Sequence, residues 1–174
     1  MIDGKYLVCL YGPESTGKST LAIRLAEHYR TEFVPEVAKE FITSNDFTVD
    51  DIIAIGQAQT ERVKSKLKTA NKVLICDTDL ITTQIYSRHY LGIVPTAVEE
   101  LEKEIHYDLY CLMDIDVPWI ADGLRDLGNR RQEMFHVFKA ELDKRNIAYT
   151  LISGDYSTRE RQIKKLIDKL LQVS

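Results

Sequence analysis

The chain is 174 residues long, 44% hydrophobic and 29% charged, with a formal net charge of −4. That length suits one domain with a sizeable core, read here as a single unit over residues 1–174, and the acid excess argues against a protein built to coat nucleic acid. No apolar run approaches the roughly 18 residues of a membrane span, and residues resembling a signal peptide are missing at the start, so a cytoplasmic protein with a small-molecule partner and no membrane partner is expected.

The first apolar run, Tyr6 to Tyr11, has the continuous character of a parallel strand buried on both faces. Immediately after it stands GPESTGKST, residues 12 to 20. Gly12, four residues, then Gly17-Lys18-Ser19 is the P-loop (Walker A) pattern. Glycines permit the positive φ angles and close backbone approach that a triphosphate cradle needs. Gly12, Glu14, Ser15, Thr16, Gly17, Lys18, Ser19 and Thr20 are therefore the candidate ATP-binding residues. Lys18 is expected to reach the β- and γ-phosphates and Ser19 to place its hydroxyl on Mg²⁺. A helix follows, since Leu21, Leu25 and Tyr29 recur at helical spacing, and its dipole adds to the anion site.

A second short run, Glu32 to Pro35, ends at Glu36. Thr48 with Asp51 reads as the start of a long helix to about Thr69, whose Glu61, Arg62, Lys64, Lys66 and Lys68 read as a solvated face. The third run, Val73 to Cys76, leads into Asp77-Thr78-Asp79. An apolar strand ending in Asp is the Walker B arrangement, so Asp77 is the expected metal-side carboxylate. Glu36 and Asp79 are both candidates for the base that orients or deprotonates an attacking hydroxyl, although Asp79 also suits the cap of the next helix. A fourth run, Leu109 to Met113, is followed by Asp114 and Asp116.

Residues 117 to 131 concentrate the only Trp, two Gly and three Arg. This segment reads as a small lid closing on the phosphates, with Arg125 and either Arg130 or Arg131 neutralising charge as the phosphoryl group moves. A helix at about 130 to 145, a fifth run from Ala148 to Ile152 and a last helix with an apolar stripe of Ile163, Leu166, Ile167 and Leu170 complete the chain. Cys9, Cys76 and Cys111 each lie in an apolar run and read as buried, reduced thiols. Alternating strands and helices predict an α/β fold, a three-layer P-loop kinase with a five-stranded parallel sheet and helices on both faces.

Two absences narrow the chemistry. The guanine-reading Asn-Lys-x-Asp is missing, because Asn71-Lys72 is followed by Val73-Leu74. Thr78, and not the Glu that activates water in many ATPases, follows Asp77. Transfer to an acceptor hydroxyl is therefore expected in preference to hydrolysis.

The stretches GPESTGKSTLA, VPEVAKEF, CDTDLITTQIYSRHYLG and DIDVPWIADGLRDLGNRR together resemble the ribosylnicotinamide kinase domain of NadR-type proteins, over essentially the whole chain. The resemblance implies transfer of the ATP γ-phosphoryl group to nicotinamide riboside, with Mg²⁺, giving nicotinamide mononucleotide in NAD salvage. A planar pyridinium cation could stack on Trp119, helped by Tyr86 or Tyr90, while Glu36, Asp79 and Asp116 could hold ribose hydroxyls. The alternatives are a kinase for another nucleoside or metabolite and a nucleotide-dependent regulatory switch. Lys39 stands where the family usually has Arg, and no His-x-Gly-His adenylyltransferase motif is present, so only the kinase step is expected. Oligomeric state is left unspecified by the sequence.

Overall fold

Each apolar run becomes a strand because a parallel strand covered on both faces needs apolar residues at successive positions, not alternate ones. A computed structural model describes residues 1–119 and 128–172. Strands β1 (Tyr6–Tyr11), β2 (Phe33–Val34), β3 (Val73–Asp77), β4 (Leu109–Met113) and β5 (Thr150–Ile152) form one sheet in the order β2-β3-β1-β4-β5, and every pairing is parallel. The α/β kinase-type architecture expected from the sequence is thus present. β2 is shorter than its apolar run because Pro35 cannot donate to the ladder. β3 runs one residue further than expected, to Asp77, which pairs in register with Leu10.

Helices cover both faces. Val8 and Leu10 point to α1 (Lys18–Tyr29) and α7 (Tyr156–Gln172), packing against Leu21, Leu25, Ile163 and Ile167. Cys9 and Tyr11 point the other way, to α4 (Leu80–Leu91) and α6 (Arg131–Lys144) through Ile81, Ile85 and Phe138. On that same side Leu7, Leu74 and Cys76 meet Val63 and Leu67 of α3 (Val49–Thr69). The short helices α2 (Ala38–Phe41) and α5 (Thr96–Glu102) flank α3. All three cysteines are buried and unpaired, and burial raises each thiol above its ordinary range.

The start of α3 matches its sequence signal closely. Thr48 Oγ1 accepts from the Asp51 amide at 3.2 Å and the Asp51 carboxylate accepts from the Thr48 amide at 2.7 Å, a reciprocal capping box. Downstream, Arg62 pairs with Glu40 and Lys66 with Glu32, so the charged half of α3 is an ion-paired solvent face. Among the described residues no helix is long and apolar enough to cross a membrane.

Candidate nucleotide and acceptor site

β1 is central in the sheet, so the loop leaving its carboxyl end lies where neighbouring strands also deliver side chains. That loop is residues 12–17. Gly12 has φ +141, and a Cβ there would sit 3.0 Å from the Met113 carbonyl oxygen. Gly17 has φ +86, and a Cβ there would sit 2.5 Å from Cε1 of Tyr156. Gly12 is thus favoured by backbone conformation and by the fixed Met113 carbonyl, and Gly17 by its positive φ, with the exposed Tyr156 ring pressing on any added Cβ. Ser15 is also left-handed, with φ +58. Thr16 Oγ1 donates to the Pro13 carbonyl at 2.9 Å and Lys18 Nζ donates to the same oxygen at 2.7 Å, so the loop is braced by its own side chains. Gly17 caps α1 without a side-chain bond, leaving the first-turn amides and the positive helix end directed at the loop.

Asp77 lies beneath this cradle, 1% exposed. It accepts from Ser19 Oγ at 2.6 Å and from Thr78 Oγ1 at 3.2 Å. Burial pushes its carboxyl above the usual range; Lys18 opposes that rise and the charge of Glu36 adds to it. Lys18, Asp77 and Glu36 therefore share one electrostatic neighbourhood. Ser19 and Asp77 offer hard oxygen donors side by side, as Mg²⁺ prefers. Among the described residues no group of three or more His, Cys, Asp or Glu could hold a metal ion.

A cleft of about 280 Å³ extends from the cradle between α2, α3 and α4. Residues 14 to 20 border it on the loop side and Glu36, Lys39, Phe47, Asp79, Tyr86 and Tyr90 border it from the other elements, and the two sets meet where the Tyr86 hydroxyl bonds to the Glu14 backbone. The Tyr86 and Tyr90 rings stack at 6.3 Å with 21° between planes, and Tyr86 also packs edge-on against Phe138. Glu36 is paired with Lys39 at 3.2 Å and its side chain is 27% exposed. Asp79 is 2% exposed. It caps α4 through the Thr82 amide at 3.0 Å, also accepts from Thr82 Oγ1, and takes the Tyr110 hydroxyl at 2.8 Å. Burial pushes its carboxyl up to about 6 against the pull of those hydrogen bonds.

The expected lid residues fall in several places. Arg125 lies outside the described residues, within 120–127. Arg130 is on the surface, donating through Nε to Glu133 at 2.8 Å. Arg131 is the inward neighbour. Its Nη1 donates to the Val117 carbonyl at 2.7 Å, while Nε and Nη2 are buried without hydrogen-bond partners among the described residues. Burial and then the Arg159 charge pull its guanidinium below the ordinary value, offset by Glu14 and Asp116. Trp119 is half-buried, and Pro118, not Trp119, is the described residue of that turn bordering the cleft. Asp116 does not border the cleft. It accepts from the Gly154 amide at 2.6 Å and from Arg159, so it is occupied in holding α7 to the sheet end.

Arg159 carries a structural role that sequence reading passed over. It is fully buried on α7 and donates to the carbonyls of Gly154 at 2.7 Å, Thr16 at 3.1 Å and Asp114 at 3.0 Å, besides Asp116. One guanidinium thus joins the phosphate loop, the end of β4 and the β5–α7 turn. A signal was available: Arg159 stands one helical turn before Ile163 and two before Ile167 on the same buried stripe.

A family model described as an AAA domain matches residues 7–159. The trifunctional NAD biosynthesis/regulator protein NadR of Escherichia coli is 33% identical over 94% of this chain, and the chain spans 42% of that relative's length. Among solved structures, NadR protein in complex with NR superposes with a TM-score of 0.77 at 21% identity, covering 95% of this chain and 51% of that one. Thymidylate kinase from Ehrlichia chaffeensis superposes with a TM-score of 0.67 at 15% identity over 94% of this chain and 99% of that one.

Proposed function

The chain belongs to the AAA domain family, and from that premise we propose that it transfers the γ-phosphoryl group of ATP to the 5′-hydroxyl of nicotinamide riboside, releasing ADP and nicotinamide mononucleotide. The observation that carries this reading is the single cleft joining the phosphate cradle to a wall of aromatic and acidic side chains. The NadR relative and the NadR structure with NR favour that acceptor over other nucleosides.

In this reading the amides of residues 14 to 19 and Lys18 hold the β- and γ-phosphates. Ser19 and Asp77 would hold Mg²⁺, which when bound neutralises charge between those phosphates. Glu36 is the base. It borders the cleft with an accessible carboxylate, whereas both oxygens of Asp79 are already engaged by Thr82 and Tyr110. Glu36 takes the proton of the acceptor hydroxyl as its oxygen bonds to the γ-phosphorus and the bond to the ADP oxygen breaks. Asp79 acts through α4, fixing the helix that carries Tyr86. Arg131, whose Nε and Nη2 have no hydrogen-bond partner among the described residues, is the arginine assigned to the phosphoryl oxygens in this reading. Tyr86 and Tyr90 offer flat faces for a cationic ring.

Incubation of the purified chain with ATP, Mg²⁺ and a panel of nucleosides tests the reading. Formation of nicotinamide mononucleotide, faster than product from any other nucleoside, is expected. Turnover of another acceptor with none of nicotinamide riboside would overturn the acceptor assignment, and tight ATP binding without any phosphorylated product would favour a regulatory switch.

A further inference from the structure

Helix α3 turns one face to the cleft, and Ile52, Ile55 and Gln59 lie along it at spacings of three and four. The two isoleucines are 2% exposed and Gln59 is 5% exposed. A polar side chain on an otherwise apolar face needs a partner. Its neighbour Thr60 has one, donating to the Gly56 carbonyl at 2.9 Å. The Gln59 Nε2 group is buried and has none among the described residues.

An unpartnered amide nitrogen is a pure donor, so whatever completes it must bring a lone pair. The C–H edge of an aromatic ring brings none, but an exocyclic carbonyl oxygen does. The charge of that group is constrained as well. Asp79 shares the same wall and Glu36 borders the same cleft, so an incoming carboxylate meets like charges in a partly desolvated site, whereas a neutral carboxamide does not. Behind Gln59 lies a second cavity, bordered also by Asp79, Glu102 and Tyr110, of only about 10 Å³. That is room for about one water and for no part of an acceptor ring.

Resting on the reading of this cleft as the acceptor site, we propose that Gln59 is the specificity-determining residue for the acceptor's ring substituent: its Nε2 donates to a neutral exocyclic carbonyl, selecting a carboxamide over a carboxylate or a bare ring. The selection is a difference between ligands, because a buried donor left unpaired by the wrong ring is penalised and one paired by the right ring is not.

The test compares nicotinamide riboside, nicotinic acid riboside and unsubstituted pyridinium riboside in the wild type and in Gln59→Leu. Both turnover and calorimetric binding are followed. Wild type should favour the carboxamide over each of the others by at least about 10-fold in kcat/KM. Gln59→Leu should raise KM for nicotinamide riboside by about 10-fold or more, leave pyridinium riboside within about twofold, and leave KM for ATP unchanged. Equal losses on all three ribosides, or a lowered Tm with discrimination intact, would mean that Gln59 serves only packing or a buried water, and would overturn the proposal. Should Gln59→Leu fail to fold, Gln59→Met keeps much of the shape, removes the donor and must abolish the preference for the carboxamide over the bare ring. If wild type turns over none of the ribosides yet binds the carboxamide preferentially, and Gln59→Leu loses that preference, the kinase reading fails and the Gln59 assignment stands. If it binds none or all equally, the assignment fails.

Discussion

The two ends of the cleft are built in opposite ways. The phosphate end comes from nine consecutive residues, 12 to 20, whose shape is set by left-handed glycines and by Thr16 and Lys18 bonding back to Pro13. The acceptor end is assembled from Glu36, Phe47, Gln59, Asp79 and Tyr86, which stand on separate elements and are brought together only by the packing of α3 and α4. A phosphate is recognised mainly by backbone, which any sequence with the right turns can supply. A nucleoside is recognised by side chains, each positioned by a different part of the core. The first kind of site is therefore rigid and local, and the second depends on tertiary structure.

Substitutions in the phosphate loop, and at Asp77, which accepts from Ser19 of that loop, should be the most damaging. Lys18→Ala and Asp77→Asn are each expected to lower kcat by at least about 10²-fold while the fold persists, measured by steady-state turnover alongside circular dichroism. Near-normal turnover in both would remove the site. At the acceptor end, Glu36→Gln should lower kcat by about 10²-fold, with KM for ATP near the wild-type value. Asp79→Asn keeps the cap on α4 and should cost less. A larger loss in Asp79→Asn than in Glu36→Gln would exchange the two roles.

Arg131 and Arg130 offer a paired control. Arg131→Ala should reduce kcat by about 10-fold or more, while Arg130→Ala, which breaks only an exposed pair with Glu133, should stay within about twofold. Gly17→Ala should weaken ATP binding by about 10-fold, since the new Cβ meets Tyr156 and the φ is unfavourable. Adding Tyr156→Ala should restore part of that loss, the steric part, as read by calorimetry.

The last prediction concerns stability and leaves turnover aside. Burial raises the Asp79 carboxyl from its ordinary 3.8 to about 6, so between those values the folded protein holds a proton that the unfolded chain has released. Its contribution to stability is greatest below about pH 4 and is lost as pH rises through about 6, reaching about 3 kcal/mol at most. Relative to wild type, Asp79→Asn should flatten urea-denaturation stability across this window. A wild-type curve parallel to that of the variant would mean that Asp79 titrates normally.

The same contrast accounts for what the sequence revealed. The P-loop, the Thr48 capping box and the five strands are written in residues close together, so spacing alone located them. Trp119 lies in a segment of unusual composition and Asp116 just before it, yet composition does not encode direction: Asp116 is claimed by Arg159 and Gly154, and Pro118 takes the place at the cleft. Glu36 and Asp79 both follow strands, and only their differing burial and hydrogen bonding separates them. Gln59 was invisible for a related reason. A glutamine on a long polar-looking helix acquires meaning only once Ile52 and Ile55 are known to face the same cavity.

Arg159 has a consequence for how the protein is made. Its bond to Thr16 spans 143 residues, so on the ribosome the phosphate loop is synthesised early but lacks its brace until α7 has emerged. The strand, the turn and the bonds of Thr16 and Lys18 to Pro13 can form first, and the loop gains its remaining brace only once α7 has been made and packed against the sheet.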